Sequence, residues 1–283
     1  MPISADMNLI VPADFTAASR SAVRFATRIA EKTGDKVILL HVYSPPVSKN
    51  NAVWPLDAEI SRTIMKDTDL QMGRYFNDCL GGANNNCQGK TRVGRLTDEI
   101  VIEAAEDTPS MIVMTTSASG FCHSLFKGSN TSGVLESARS PVMIIQDGIH
   151  ALVPQSVTFA TDCQPGDMPA MENLVSLCEK LGAEVNVLHV NGSSNGQNGQ
   201  TAESFTWRAR DITGYEAISC HVVHAPDVLS GIRDYLAQHH SDLLVLTQRN
   251  TTVWNRLFQR SLAEKILGKM RTPLLLYPIK NHP

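Results

Sequence analysis

The sequence predicts an α/β protein of two tandem doubly wound domains, each built on a five-stranded parallel sheet, and three observations carry that expectation. Short apolar runs rich in β-branched residues alternate with amphipathic helical stretches along the whole chain. The runs Met111-Ile112-Val113-Met114 and Leu243-Leu244-Val245-Leu246 are unbroken by polar residues, as expected of central strands covered by helices on both faces. The chain also repeats itself: Asp14 recurs as Asp162 and His41-Val42 as His189-Val190 at an offset of 148 residues. Ile100 then pairs with Ile232, Thr115 with Thr247, Ser129 with Ser261 and Pro141 with Pro273 at an offset of 132, so the second copy is 16 residues shorter in its middle. Domains are expected at 1–150 and 151–283, joined near residues 148–155.

Taken in order, Leu9, Ile10 and Val11 are too few for a helix and read as a short buried strand stopped by Pro12. Asp14 or Thr16 can cap the following helix, along which Ala22, Val23, Ala26, Ile29 and Ala30 recur at helical spacing until Gly34 stops it. Residues 37–42 form the next strand, which makes a right-handed crossover with both strands parallel. A helix near 58–80 follows, without an equally clean counterpart in the second copy. Later strands are expected at 91–93, 111–115 and 142–146, with helices near 97–106 and 129–139, and in the second copy at 220–224, 243–247 and 274–277. Pro109, Pro141 and Pro273 sit between helix ends and strand starts, where a missing amide costs little. Residues 191–200, rich in Asn and Gly, read as a flexible surface loop.

Composition narrows the function classes. The 283 residues are 42% hydrophobic and 19% charged, the balance of a soluble globular protein. A net charge of -3 and scattered Lys and Arg give no drive toward nucleic acid or an anionic membrane, and neither partner is expected. No stretch approaches the ~20 apolar residues of a membrane span, and residues 1–7 lack the basic and apolar regions of a signal peptide, so a cytoplasmic location is expected. The six cysteines show no close-paired spacing and read as reduced packing residues, and the three glycosylation sequons, at Asn130, Asn191 and Asn250, go unused in such a location. Trp54, Trp207 and Trp254 are expected in core or interface packing.

Open parallel sheets bind ligands beyond the carboxyl ends of their strands, here around Pro12, Ala13 and Asp14 and, on the next strand, Val42. Asp14 is either a ligand-facing group or simply a helix cap. Other patterns resist a catalytic reading. Gly89-Lys90-Thr91 resembles the end of a phosphate loop, but Asn84 stands at the required first glycine and a strand follows. Strand alternation leaves only Cys220 and His224 of a Cys220, His221 and His224 zinc set on one face, and no metal site is assigned. His41 and His189 end matching strands and read as buried histidines bonded to backbone. No nucleophile elbow and no paired carboxylates appear.

Leu9-Ile10-Val11-Pro12-Ala13-Asp14-Phe15-Thr16, Leu39-Leu40-His41-Val42, Gly94, Ile112-Val113-Met114, Gly128-Ser129-Asn130 and Ser140-Pro141-Val142 together resemble the universal stress protein family in its tandem two-domain form. The resemblance implies the adenine nucleotide alpha hydrolase-like fold, with the last strands of the two copies meeting across a pseudo-twofold axis, where an apolar edge needs covering. Members that bind ATP carry, after the fourth strand, a loop of glycine, two residues, glycine, nine residues, glycine and serine or threonine, whose amides approach the phosphates closely. Carried over, the resemblance implies a site of Pro12, Ala13, Asp14, Val42, Met114, Thr115, Ala118, Gly128, Ser129 and Asn130. Thr115 and Ala118 replace the two earlier glycines. In the second copy the same loop positions hold Thr247, Asn250, Arg260 and Ser261, and Pro12 has become Ala160, so that copy is expected to have lost ordinary ATP binding.

Two functional classes follow. One is a cytoplasmic stress-response protein that binds ATP or another adenine nucleotide in its first domain only, with slow hydrolysis as its most extensive chemistry. The other is an interaction or dimerisation module with both pockets degenerate. The two domains are expected to pair within the chain, and a homodimer of whole chains is compatible with either class.

Overall fold

The computed structural model describes residues 7–44, 58–80, 86–106, 108–116, 130–146, 152–192, 199–248 and 272–279. The first half runs β1 (Asn8–Pro12), α1 (Ala17–Thr33), β2 (Lys36–Tyr43), α2 (Ala58–Leu80), β3 (Cys87–Val93), α3 (Leu96–Ala104), β4 (Ser110–Thr116), α4 (Asn130–Ser137) and β5 (Val142–Gln146). The second runs β6 (Ser156–Ala160), a single 3₁₀ turn (Pro165–Asp167), α5 (Met168–Leu181), β7 (Glu184–Asn191), α6 (Gly199–Thr213), β8 (Ile218–His224), α7 (Val228–Gln238), β9 (Leu243–Gln248) and β10 (Leu274–Pro278).

All ten strands join one sheet in the order β3-β2-β1-β4-β5-β10-β9-β6-β7-β8, which reads the same way inward from either edge. Within each half the pairs are parallel; the halves meet in an antiparallel pair, Leu274 opposite Ile144, Leu275 opposite Met143 and Leu276 opposite Val142. The Val/Ile/Leu edges expected to need covering thus cover each other. Side-chain alternation sorts the core into two layers. Leu9, Val11, Val113 and Val245 face α1 and α5, whereas Ile10, Leu40, Ile112 and Leu244 face α3 and α7.

Local signals explain the ends of the elements. Thr16 caps α1, accepting from the Ser19 amide, and Gly34 ends it at φ 80, a left-handed conformation that glycine adopts without strain. Gly182 does the same for α5 at φ 69. Several expectations need correction. Pro12 closes β1 from within, as its last residue. The stretch 58–80 does have a counterpart, the shorter α6, and only the middle of the expected 191–200 loop lies outside the described residues: Asn191 ends β7, while Gly199 opens α6. The edge strand β3 begins at Cys87, earlier than expected, because its polar residues are held by ion pairs instead of by apolar packing. Glu103 of α3 is almost wholly buried and receives Lys90 Nζ at 2.8 Å and Arg92 Nε at 2.7 Å. Gly89-Lys90-Thr91 is part of this strand, not of a phosphate loop. Trp207 is 67% exposed on α6, which removes it from the core; Trp54 and Trp254 lie outside the described residues.

Candidate functional site

In each half the connections out of the central strand diverge, from β1 to β2 on one side and toward β4 on the other. The gap beyond the carboxyl ends of β1 and β4, and of β6 and β9, is the point where open α/β sheets take ligands. Register sets what faces that gap. Ile10 opposite Ile112 is the last pair between β1 and β4, and Pro12 and Met114 each lie two residues beyond it. Pro12 pairs with Leu40, so Val42 projects two residues further along β2. Six of the expected site residues therefore gather at one end of the sheet: Pro12, Ala13, Asp14, Val42, Met114 and Thr115. Val42 and Met114 share the α3 face. Asn130 is the first residue of α4. Ala118, Gly128 and Ser129 lie outside the described residues, as do Asn250, Arg260 and Ser261 of the second copy.

The turn after β1 is built around His41. Its Nδ1 donates to the Ala13 carbonyl at 2.9 Å, and its ring stacks on Phe15 with centroids 4.5 Å apart. Phe15 is held at φ 62, a left-handed conformation that costs a non-glycine residue ~1 kcal/mol. The second copy repeats the device. His189 Nδ1 donates to the Thr161 carbonyl at 3.0 Å, and Cys163, the counterpart of Phe15, sits at φ 60. The matching histidines are thus structural pins for a strained turn, and the Phe15/Cys163 position gives no sign in sequence that it needs positive φ.

Asp14 stands at the tip of this turn. Its Oδ1 accepts from the Thr16 amide at 3.1 Å and the Thr16 hydroxyl at 2.6 Å, which fixes the carboxylate while Thr16, not Asp14, caps the helix. Partial burial works to raise its pKa, but the hydrogen bonds from Thr16 and Ser19 outweigh it and hold the carboxyl below its ordinary value. Asp14 is exposed and presents a fixed negative charge to the gap.

The second gap is different. Asp167, fully buried, lies between the ends of β6 and β9 and accepts the Thr161 hydroxyl at 2.6 Å on Oδ2 and the Thr247 hydroxyl at 2.8 Å on Oδ1. It bridges the two strands at their divergence. Its counterpart at the 148-residue offset is Ser19, whose hydroxyl turns away to Tyr75 at 2.6 Å and the Thr16 carbonyl at 3.1 Å. A carboxylate therefore bridges the two strand ends in the second copy, where the first has a hydroxyl bonded within its own half. Sequence reading missed Asp167; extending the offset by five residues past Asp162 would have shown a carboxylate where the first copy has a hydroxyl. Among the described residues no three His, Cys, Asp or Glu side chains cluster as a metal site, and no helix is long and apolar enough to cross a membrane.

Comparison with known proteins agrees with this fold. The universal stress protein family matches residues 7–146. Among solved structures, a universal stress protein from Archaeoglobus fulgidus DSM 4304 superposes with a TM-score of 0.67 at 17% identity, covering 97% of each chain. A functionally unknown protein from Pseudomonas aeruginosa PAO1 gives 0.57 at 14% identity over 97% of this chain and 93% of that one. The cytoplasmic domain of a prokaryotic cation chloride cotransporter gives 0.57 at 11% identity, over 96% and 95%. At these identities the structures share a fold. A comparison with curated protein sequences finds no match.

Proposed function

Because the chain belongs to the universal stress protein family through residues 7–146, we propose that it is a cytoplasmic stress-response protein that binds an adenine nucleotide in its first domain alone. The domains proposed are 1–150 and a divergent 151–283. The observation that carries the reading is the contrast at the two gaps. The first has an exposed, fixed Asp14 beside the walls formed by Pro12, Ala13 and Val42, suited to accept hydroxyl donors from a ribose. In the second, the buried Asp167 fills the space between the strand ends with its two hydroxyl partners, Thr161 and Thr247. Phosphates would then lie toward Asn130, the first residue of α4, since a helix N-terminus favours anions; the family resemblance adds Gly128 and Ser129 to that site.

Calorimetric titration of the full chain with ATP tests this. One equivalent is expected, weakened by Asp14→Ala, unchanged by Asp162→Ala and tightened by Ala118→Gly, which restores close backbone approach. Two equivalents, or equal loss from both aspartate variants, would refute it. The side chains of Thr115 and Ala118 where ATP-binding relatives have glycine favour a second reading, an interaction module with both pockets degenerate. Absence of saturable binding at cellular ATP levels by a folded chain would select that reading.

A further inference from the structure

A cleft of about 580 Å³ lies between the two halves, away from the first gap and beside the second, whose Gly166 helps line it, on the face where α1 packs against α5. One wall is the amino-end rim of the first half, including Met7, Asp35, Met111 and Arg139. The other is α5 with the end of β10, including Leu177, Lys180 and Tyr277. A cleft of this size, mainly apolar and at a junction of two domains, suits a small organic molecule better than a chain segment.

Its charge is specific. Asp35 is fully buried, and its Oδ1 accepts the Met7 amide at 3.0 Å and Lys180 Nζ at 3.3 Å. Among the described residues no donor meets Oδ2. The fold does not require this carboxylate, because the position 148 residues later is Ala183, equally buried. What Asp35 does is hold the Lys180 ammonium, from the other half of the chain, at the cleft wall, and an ammonium held by one carboxylate oxygen keeps further N–H donors. Arg139 adds a second cation, and among the described residues Asp35 is the only carboxylate lining the cleft. The wall therefore carries a net positive charge beside an apolar surface.

We infer that this inter-domain cleft binds a small amphipathic carboxylate, its headgroup on Lys180 and Arg139 and its apolar body against Met111, Leu177 and Tyr277. Binding there would tie the two halves through one ligand, independently of any nucleotide. The same chemistry could come from an aliphatic or an aromatic acid, and the body of the ligand separates them.

The test is calorimetric titration of the full chain, in excess ATP, with sodium octanoate, sodium 3-phenylpropanoate and octylammonium chloride. One saturable equivalent of a carboxylate is expected, with octylammonium at least about tenfold weaker; the tighter of octanoate and 3-phenylpropanoate identifies the aliphatic or aromatic class. Lys180→Met and Arg139→Ala should each weaken the carboxylate about five- to tenfold, the scale of one charge-assisted hydrogen bond. Arg139 is exposed, so its alanine variant remains informative if Lys180→Met disturbs domain docking. Equal affinity for octylammonium, full affinity in Arg139→Ala, or no saturable uptake of either acid would overturn the inference.

Discussion

Replacing Asp167 by alanine is the most direct probe of the bridge between the ends of β6 and β9. The carboxylate is fully buried and takes hydroxyl donors at 2.6 Å from Thr161 and 2.8 Å from Thr247. Truncation strands both hydroxyls, at about 1–3 kcal/mol each, and relief of carboxylate burial offsets part of that loss. A net destabilisation of about 2–4 kcal/mol is expected. For a structural unit of this size that corresponds to roughly 4–12 °C in Tm. Asp167→Asn, which keeps the shape and one acceptor, should cost about half as much. Thr247→Val removes one donor, and in a double-mutant cycle with Asp167→Ala the coupling should be ~1 kcal/mol. The assay is thermal and urea unfolding followed by circular dichroism, with the unsubstituted chain as the control. A shift within ~1 °C of that control would refute the bridge. The stoichiometry of nucleotide binding should stay at one, because Thr247, Asn250 and Arg260 still stand where the loop needs glycine.

Two further predictions concern the sheet edges. Glu103→Gln leaves Lys90 and Arg92 without their buried partner and should destabilise by about 2–3 kcal/mol, with little dependence on salt; a loss below ~0.5 kcal/mol would class the cluster with ordinary surface ion pairs. At the opposite edge, burial and then the neighbouring His239 lower the pKa of His221 against the opposing pull of Glu184. As pH falls through ~6.5 the unfolded chain takes up this proton first, so the stabilising contribution of neutral His221 is complete above that value and is lost as pH drops toward the folded pKa. His221→Gln should flatten stability against pH between 5 and 7, and an unchanged slope would show that another group sets it.

Much of the fold was legible because it rests on periodicity and repetition. The unbroken Met111-Ile112-Val113-Met114 run placed β4 to within a residue at either end, and Gly34 marked the end of α1. The edges were not legible. Cys87 to Lys90 lacks an apolar pattern because Glu103 of α3 holds β3 by charge, a contact between residues 11 to 13 positions apart that no local signal shows. The places of Asp14 after β1 and Val42 near the end of β2 were also legible. The strained turn was not, since Phe15 and Cys163 carry no glycine or asparagine to announce a left-handed backbone, and the histidines that hold them act from the neighbouring strand.

The two copies keep one scaffold and diverge at single positions whose chemistry is opposite. Where the first has Ser19, free to turn toward α2, the second has Asp167 across its gap. Where the second has Ala183 in the core, the first has Asp35 reaching for a lysine of the other half. A buried carboxylate costs free energy unless its partners repay it, and each copy carries one that its sister dispenses with. Drift alone would tend to remove such groups, since an apolar or neutral residue serves the same fold next door. Their placement also differs: one carboxylate bridges the ends of β6 and β9, and the other holds a lysine at the seam between the halves. The two halves thus differ by a carboxylate that bridges one strand divergence and by an ion pair that crosses the seam, on a strand order that is otherwise the same.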